Sequence, residues 1–255
     1  MSVTLRGYQN DTVEGVRNVF RQGGKRVACI LPTGSGKTTI FGSICREFAH
    51  KNPTQRAAII SHLGLLTSQT GDRFREEWGI NSQVLQADRL PTTEAQTIIT
   101  TMQSFRSEEK LLKWADKLSF GTGTLERLNI ELIIIDECHL VGNDSYNTIL
   151  EMFPDAYVIG FTATPFRQNK LMTNLFEEVA YTISTQELID QGYLVPPKLN
   201  GMDFNTFDQA DMFARIINTY KQRHSGHKAV VYLKTIAEAE LLRNVLVDAG
   251  ITSSA

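Results

Sequence analysis

Val27-Ala28-Cys29-Ile30-Leu31-Pro32-Thr33-Gly34-Ser35-Gly36-Lys37-Thr38 joins an apolar run to a glycine-bearing turn and then to a helical pattern. The run Val27–Leu31 is continuous rather than alternating, as in a strand buried on both faces with helices above and below. The turn that follows, together with a helix N-terminus, gathers backbone N–H groups into an anion site. Gly34 and Gly36 let the backbone curl around phosphates, and Lys37 can reach the β and γ positions. The Thr38 hydroxyl suits Mg²⁺. The strict phosphate-loop pattern has a further glycine where Leu31 stands, while Gly36-Lys37-Thr38 is intact. A plain Gly/Ser turn between strand and helix is the competing account; the strand before it and the helix after it favour nucleotide binding.

A second apolar run, Leu132–Ile135, ends in Asp136-Glu137-Cys138-His139. Ligands of open parallel sheets gather at the carboxyl ends of strands. Two adjacent carboxylates there have complementary uses in phosphoryl transfer: one holds a metal, the other orients and deprotonates the attacking water. Alone, such an ending would be an ordinary solvated strand end; beside the glycine-bearing turn it points to catalysis. Cys138 reads as a small buried filler rather than a reactive thiol, since no positioned base is implied nearby.

These two stretches sit in a chain of 255 residues, 42% hydrophobic and 21% charged. That composition excludes disorder and collagen-like repeats. At about 100–200 residues per domain, one complete unit plus part of another is expected. Lys and Arg total 26 against 28 Asp and Glu, so the charge balance neither points to nor excludes a nucleic-acid partner. Cys29, Cys45 and Cys138 are too few and scattered for a disulfide framework or a structural zinc site, and a reducing compartment suits them. No signal layout opens the chain, and the apolar runs fall well short of the roughly 18 residues of a membrane span. A cytoplasmic protein is the expectation.

Apolar runs alternate with helical patterns from end to end, the layout of repeated βα units. Further strands are expected at Ala57–Ile60, Thr97–Thr100, Ala156–Gly160 and Ala229–Leu233. Helices are expected at Tyr8–Phe20, with Val13, Val16 and Phe20 on one face, and at Thr235–Ala249, striped by Ile236, Ala239, Leu242, Leu246 and Ala249. The boundary falls at Gly192-Tyr193-Leu194-Val195-Pro196-Pro197, where prolines remove ladder donors and stiffen the connection. The reading is therefore one domain over 1–195, then a linker and the opening of a second over 196–255.

The ordered motifs resemble a family. Pro32–Thr38, Asp136-Glu137-Cys138-His139 and Thr162-Ala163-Thr164-Pro165 resemble motifs I, II and III of superfamily 2 helicases, DEAD/DEAH-box-like with a DECH sequence. Leu5-Arg6-Gly7-Tyr8-Gln9 resembles the adenine-recognising Q-motif region. Thr100-Thr101-Met102-Gln103-Ser104-Phe105 resembles motif Ib, which touches the nucleic-acid backbone. The Gly192–Pro197 stretch is similar to the crossover in RadD-like and UvsW-like bacterial and phage DNA helicases. The resemblance implies an α/β, RecA-like, doubly wound parallel sheet with helices on both faces, followed by the start of a second RecA-like lobe.

It also implies roles. Arg6, Gln9, Thr33, Gly34, Ser35, Gly36, Lys37 and Thr38 would bind ATP, with Gln9 on the base edge; Thr38 and Asp136 would hold Mg²⁺, and Glu137 would be the catalytic base beside Lys37 and Asp136. His139, Thr162, Ala163 and Thr164 would couple nucleotide state to nucleic-acid grip, and His62, Thr101, Gln103 and Ser104 would touch nucleic acid. Motif Ia departs from the family pattern: Ser61-His62-Leu63-Gly64-Leu65-Leu66 lacks the usual basic residue after the histidine and the Glu before Leu. The second-lobe motifs, arginine fingers included, do not occur in these residues, so the expectation is ATP binding with weak hydrolysis.

The implied activity is ATP-dependent DNA translocation or unwinding in replication, recombination or repair, on single-stranded, forked or branched DNA, in a bacterial or phage-infected cytosol, by a monomer. An RNA helicase, a restriction-system translocase subunit and an ATP-gated nucleic-acid-binding scaffold are the alternatives. Among weaker signals, Arg21, Lys25 and Arg26, and Lys221, Arg223 and Lys228, read as solvated helix ends rather than phosphate contacts. His224-Ser225-Gly226-His227 lacks a metal-ligand pattern. Leu111, Leu112, Ala115 and Leu118 suggest a helix packing its leucines down, with Lys110, Lys113 and Lys117 as minor candidates for DNA contact. Trp78 and Trp114 read as packing residues.

Overall fold

The computed structural model describes residues 3–61, 64–85, 92, 94–119, 128–164, 166–167, 170–171, 175–196, 208–226 and 229–254. The chain divides into two units, 1–196 and 197–255. The first is built on strands β1 (Arg26–Ile30), β2 (Arg56–Ser61), β3 (Ser82–Leu85), β4 (Thr97–Thr101), β5 (Ile130–Asp136), β6 (Tyr157–Thr162) and, after the two-residue pair β7 (Phe166–Arg167) and β8 (Lys170–Leu171), β9 (Glu178–Thr182). Seven of them form one sheet in the order β3-β4-β2-β5-β6-β1-β9, parallel throughout.

Successive side chains of a strand point to opposite faces, and both faces here are covered. Val27, Cys29, Leu132 and Ile134 point to the side holding α1 (Gly7–Arg21), α2 (Lys37–Lys51) and Phe74 and Trp78 of α3 (Gly64–Trp78). Ala28, Ile133 and Ile135 point to the side holding Phe105 of α4 (Met102–Phe105), Leu111 and Trp114 of α5 (Glu108–Ser119), and Tyr146 and Ile149 of α6 (Asn143–Met152). This is the doubly wound α/β sheet expected from the continuous apolar runs. Both tryptophans are buried packing residues, as read from the sequence. On α5 the inward stripe is Leu111, Trp114 and Ala115; Leu112, expected inside, is exposed because the helical period turns it away. The charges near the end of α1 are taken up at the surface, Arg21 by Glu14, Lys25 by Asp155 and Arg26 by Glu177. Cys29, Cys45 and Cys138 are free and buried, and burial pushes the Cys138 thiol up to about 12, so it stays protonated and inert.

Two strands of the seven-stranded sheet, and the short pair β7 and β8, were not anticipated. β3 is only four residues long and half polar, and β9 begins with Glu178; both lie at the sheet's outer edges, where one missing neighbour leaves a weak hydrophobic signature. In the second unit, α8 (Gln209–Thr219) runs into a π turn (Tyr220–His224) and α9 spans Ile236–Asp248. Ala229–Leu233, expected as a strand, joins no ladder among the described residues. Val230 and Tyr232 are 76% and 91% exposed. A parallel strand is stable only beside a partner, and none is described in this unit. Ile236, expected on the buried stripe of α9, is also exposed, whereas Leu242 is buried. No described helix is long and apolar enough to cross a membrane.

Helix α2 lies close to α3 because Gly42 has no side chain. A Cβ there would stand 2.2 Å from Trp78 Nε1. Gly42→Ala is therefore expected to cost about 1–3 kcal/mol through overpacking, whereas Gly7→Ala, which meets nothing within 4 Å, should change little. Urea denaturation of both variants checks this.

Candidate nucleotide site

The parallel register delivers every loop of interest to one edge. Ile30 pairs with Thr162, Phe161 with Asp136, Ile60 with Ile135, and Ser61 with Thr101. The turn after β1, the acidic end of β5, the Thr162 end of β6 and the Thr101 end of β4 thus stand side by side. β6 lies between the strand bearing the glycine turn and the strand bearing the carboxylates.

The turn itself is shaped for an anion. Gly34 and Gly36 adopt φ of 84° and 76°, conformations side chains rarely take, and Gly36 caps α2. A Cβ at Gly36 would fall 2.8 Å from Gln9 Nε2. Ser35 is buried, and its Oγ finds no partner among the described residues. A bare loop with an orphaned hydroxyl at a helix N-terminus fits a triphosphate. Thr33 and Gly34 are exposed, and Lys37 and Thr38 are half-buried.

Lys37 Nζ donates to Glu137 Oε1 at 2.8 Å, with the two side chains 12% and 28% exposed. Glu137 is held at φ 48°, ψ 50°, outside the range most side chains prefer. Its N–H donates to Asp136 Oδ1 at 3.0 Å. Its other oxygen lies 3.3 Å from His139 Nδ1. The Thr162 hydroxyl donates to the Thr164 carbonyl at 3.0 Å and accepts from the Thr164 N–H at 3.0 Å. Thr162 Oγ1 also lies 2.9 Å from His139 Nδ1, within hydrogen-bond distance. Lys37, Glu137, His139, Thr162 and Thr164 form one connected chain of polar contacts; Ala163 is half-buried within it and Thr164 is exposed. Pro165 lies outside the described residues.

Helix α1 closes the other side of the turn. The Gln9 side chain is buried: its Oε1 accepts from the Arg6 N–H at 2.9 Å and its Nε2 donates to the Ser35 carbonyl at 3.0 Å. Tyr8 donates its hydroxyl to the same carbonyl at 2.6 Å. Sequence reading assigned nothing to Tyr8, although its place between Arg6 and Gln9 was a usable signal. At the neighbouring strand end, Thr101 Oγ1 caps α4 by accepting from the Ser104 N–H at 3.4 Å; Ser104 is buried and Gln103 is exposed. His62 lies outside the described residues.

A turn on β1, a carboxylate pair on β5 and a threonine network on β6 define a RecA-like P-loop domain. Residues 2–167 match the family model described as type III restriction enzyme, res subunit (ResIII). The chain belongs to this family of superfamily 2 helicases. It is 28% identical over 214 residues to irc3 of Schizosaccharomyces pombe, whose name describes a mitochondrial ATP-dependent helicase, covering 80% of this chain and 33% of that protein. It is 28% identical over 280 residues to the type I restriction enzyme EcoAI endonuclease subunit of Escherichia coli, covering 94% and 33%. Among solved structures, the ATP-dependent type ISP restriction-modification enzyme LlaBIII bound to DNA shares the fold at a TM-score of 0.66 and 14% identity, covering 97% of this chain and 21% of that one. The chain thus spans about a third of the length of the curated relatives it matches.

Burial raises the Asp136 carboxyl above its usual range; Lys37 opposes this and Glu137 adds to it. A carboxyl raised in the folded state costs stability once pH exceeds its ordinary value, and the cost is absent below about pH 4. Asp136→Asn should therefore raise the melting temperature at pH 7, with the gain shrinking as pH falls towards 4. A lower melting temperature at pH 7 would count against burial as the dominant influence.

Proposed function

We propose that this chain is the ATP-binding part of a DNA motor that couples Mg-ATP hydrolysis to movement on, or remodelling of, DNA in replication, recombination or repair. The observation that carries the reading is the Lys37–Glu137 ion pair, which joins the glycine turn to the acidic strand end. Residues 1–195 act as the first RecA-like lobe, and 196–255 as a linker and the start of the second.

In this reading the N–H groups of 33–38 cradle the phosphates, and Lys37 leaves Glu137 for the γ-phosphate. That exchange frees Glu137 Oε1 to accept a proton from the attacking water. Asp136 and Thr38 hold Mg²⁺, which when bound neutralises phosphate charge. Arg6 and Gln9 bind the base. His139 hears of the exchange directly, because Glu137 and Thr162 share its Nδ1, so the Thr162–Thr164 loop shifts with nucleotide state. Thr101, Gln103 and His62 contact the nucleic-acid backbone, with Ser104 holding the turn that presents Gln103.

DNA is favoured over RNA by the DNA-bound restriction-modification enzyme that shares the fold. A restriction-system translocase subunit is the second reading, favoured by the family description and the EcoAI relative. ATPase titrated with single-stranded DNA, forked DNA, four-way junctions and RNA separates these substrates; stimulation by RNA alone would overturn the DNA assignment.

Lys37→Ala should weaken ATP binding about 30-fold or more, the cost of losing a partly buried charge partner. Glu137→Gln should keep ATP binding and slow hydrolysis by about 10²–10⁴. Calorimetric binding alongside phosphate release checks both; loss of binding in Glu137→Gln would refute its role as base.

A further inference from the structure

The segment that leaves the first unit folds back onto the nucleotide site. Helix α7 (Thr185–Asp190) starts with a reciprocal cap, Glu187 N–H to Ser184 Oγ at 3.1 Å and Ser184 N–H to Glu187 Oε2 at 2.8 Å. It stops at Gly192, whose φ of 75° reverses the chain. Tyr193 and Leu194 then both donate their N–H groups to the Leu188 carbonyl, at 2.8 and 3.1 Å. These bonds fix two side chains over the site. Leu194 Cδ2 lies 3.2 Å from where a Gly34 Cβ would be. The Tyr193 ring meets Tyr8 edge-on, with centroids 5.1 Å apart, and carries the Arg6 guanidinium 5.2 Å from its centroid.

Arg6 is a long, exposed side chain. Among the described residues, its hydrogen bonding is a contact of 3.4 Å from Nη1 to the Tyr8 hydroxyl, and that hydroxyl already donates to Ser35. A flat base gains little from a guanidinium it must first immobilise. Attraction to the face of an aromatic ring removes that cost beforehand.

We propose that Tyr193 is a positioning residue for the nucleobase: it holds Arg6 as a planar shelf on which a purine stacks, within reach of Gln9. This rests on the ATP-site reading above. The phosphates would be untouched by Tyr193, so its contribution separates from theirs.

The test measures binding of Mg-ATP and of Mg-tripolyphosphate, which has no base, to the 255-residue chain and its variants. Tyr193→Ala should weaken ATP about tenfold and leave tripolyphosphate unchanged. Tyr193→Phe, which keeps the ring, should behave as wild type. The double variant Arg6→Ala/Tyr193→Ala should bind ATP no more weakly than Arg6→Ala alone, because the two act as one unit. Unchanged ATP affinity in Tyr193→Ala, an equal loss for both ligands, a loss in Tyr193→Phe, or additive losses in the double variant would each overturn the proposal. If the wild-type chain binds neither ligand, the ATP-site reading falls and takes the proposal with it. If it binds both and Tyr193→Ala matches it, only the proposal falls.

Discussion

Seven parallel strands share one direction, so each of them delivers its carboxyl end to the same edge of the sheet. Everything at the nucleotide site follows from that constraint. The glycine turn follows Ile30, the carboxylates close β5 and Thr162 closes β6, and the pairings of Ile30 with Thr162 and Asp136 with Phe161 bring the three loops level. Because β6 intervenes between β1 and β5, Lys37 must reach across one strand to meet Glu137. That span puts Thr162 at the edge between them. The His139–Thr162 contact is therefore a product of strand order.

The sheet can hold this geometry because both of its faces are dry. Ile134 packs with α1, α2 and α3, while its neighbours Ile133 and Ile135 pack with α4, α5 and α6. Burying strands on both faces fixes their register, since a slip by one residue would exchange the two sets of side chains between layers of different shape. Close packing against Trp78 at Gly42 adds a steric limit to sliding of α2. The glycine turn is thus anchored at both ends, by β1 behind and α2 ahead, and its curl is set before any ligand arrives.

Much of this was legible in residue order. Continuous apolar runs at Val27–Leu31 and Leu132–Ile135 announced buried parallel strands, and Gly34-Ser35-Gly36-Lys37 and Asp136-Glu137 marked two loops that the sheet brings together at one edge. The edge strands were not legible: Ser82–Leu85 is short and half polar, and Glu178–Thr182 carries little hydrophobic signal because one side faces no neighbour. Ala229–Leu233 shows the opposite error. Its apolar run is strand-like, yet a strand exists only by pairing, and pairing is a property of neighbours rather than of the segment. Tyr193 escaped for a related reason. Its meaning lies in contacts with Tyr8 and Arg6 at the far end of the domain's sequence, and single-chain patterning carries no sign of a contact at that separation.

Glu137 shows how the site holds a poised state. Two described non-glycine residues take positive φ, Asn129 and Glu137. Asn visits that region readily through local hydrogen bonding, and Asn129 donates to the Thr54 carbonyl. Glu has no such excuse, and the conformation costs about 1–3 kcal/mol. It persists because it turns the chain sharply at the end of β5. The Glu137 carboxylate then swings back over the sheet edge to Lys37 and His139, while its N–H still reaches Asp136. In ordinary extended geometry the chain would continue outward and the carboxylate would leave the edge. The ion pair with Lys37 offsets part of that cost. In the proposed reading, phosphate at the turn would take Lys37 and remove that offset, which would tie loading of the site to release of the Glu137 carboxylate.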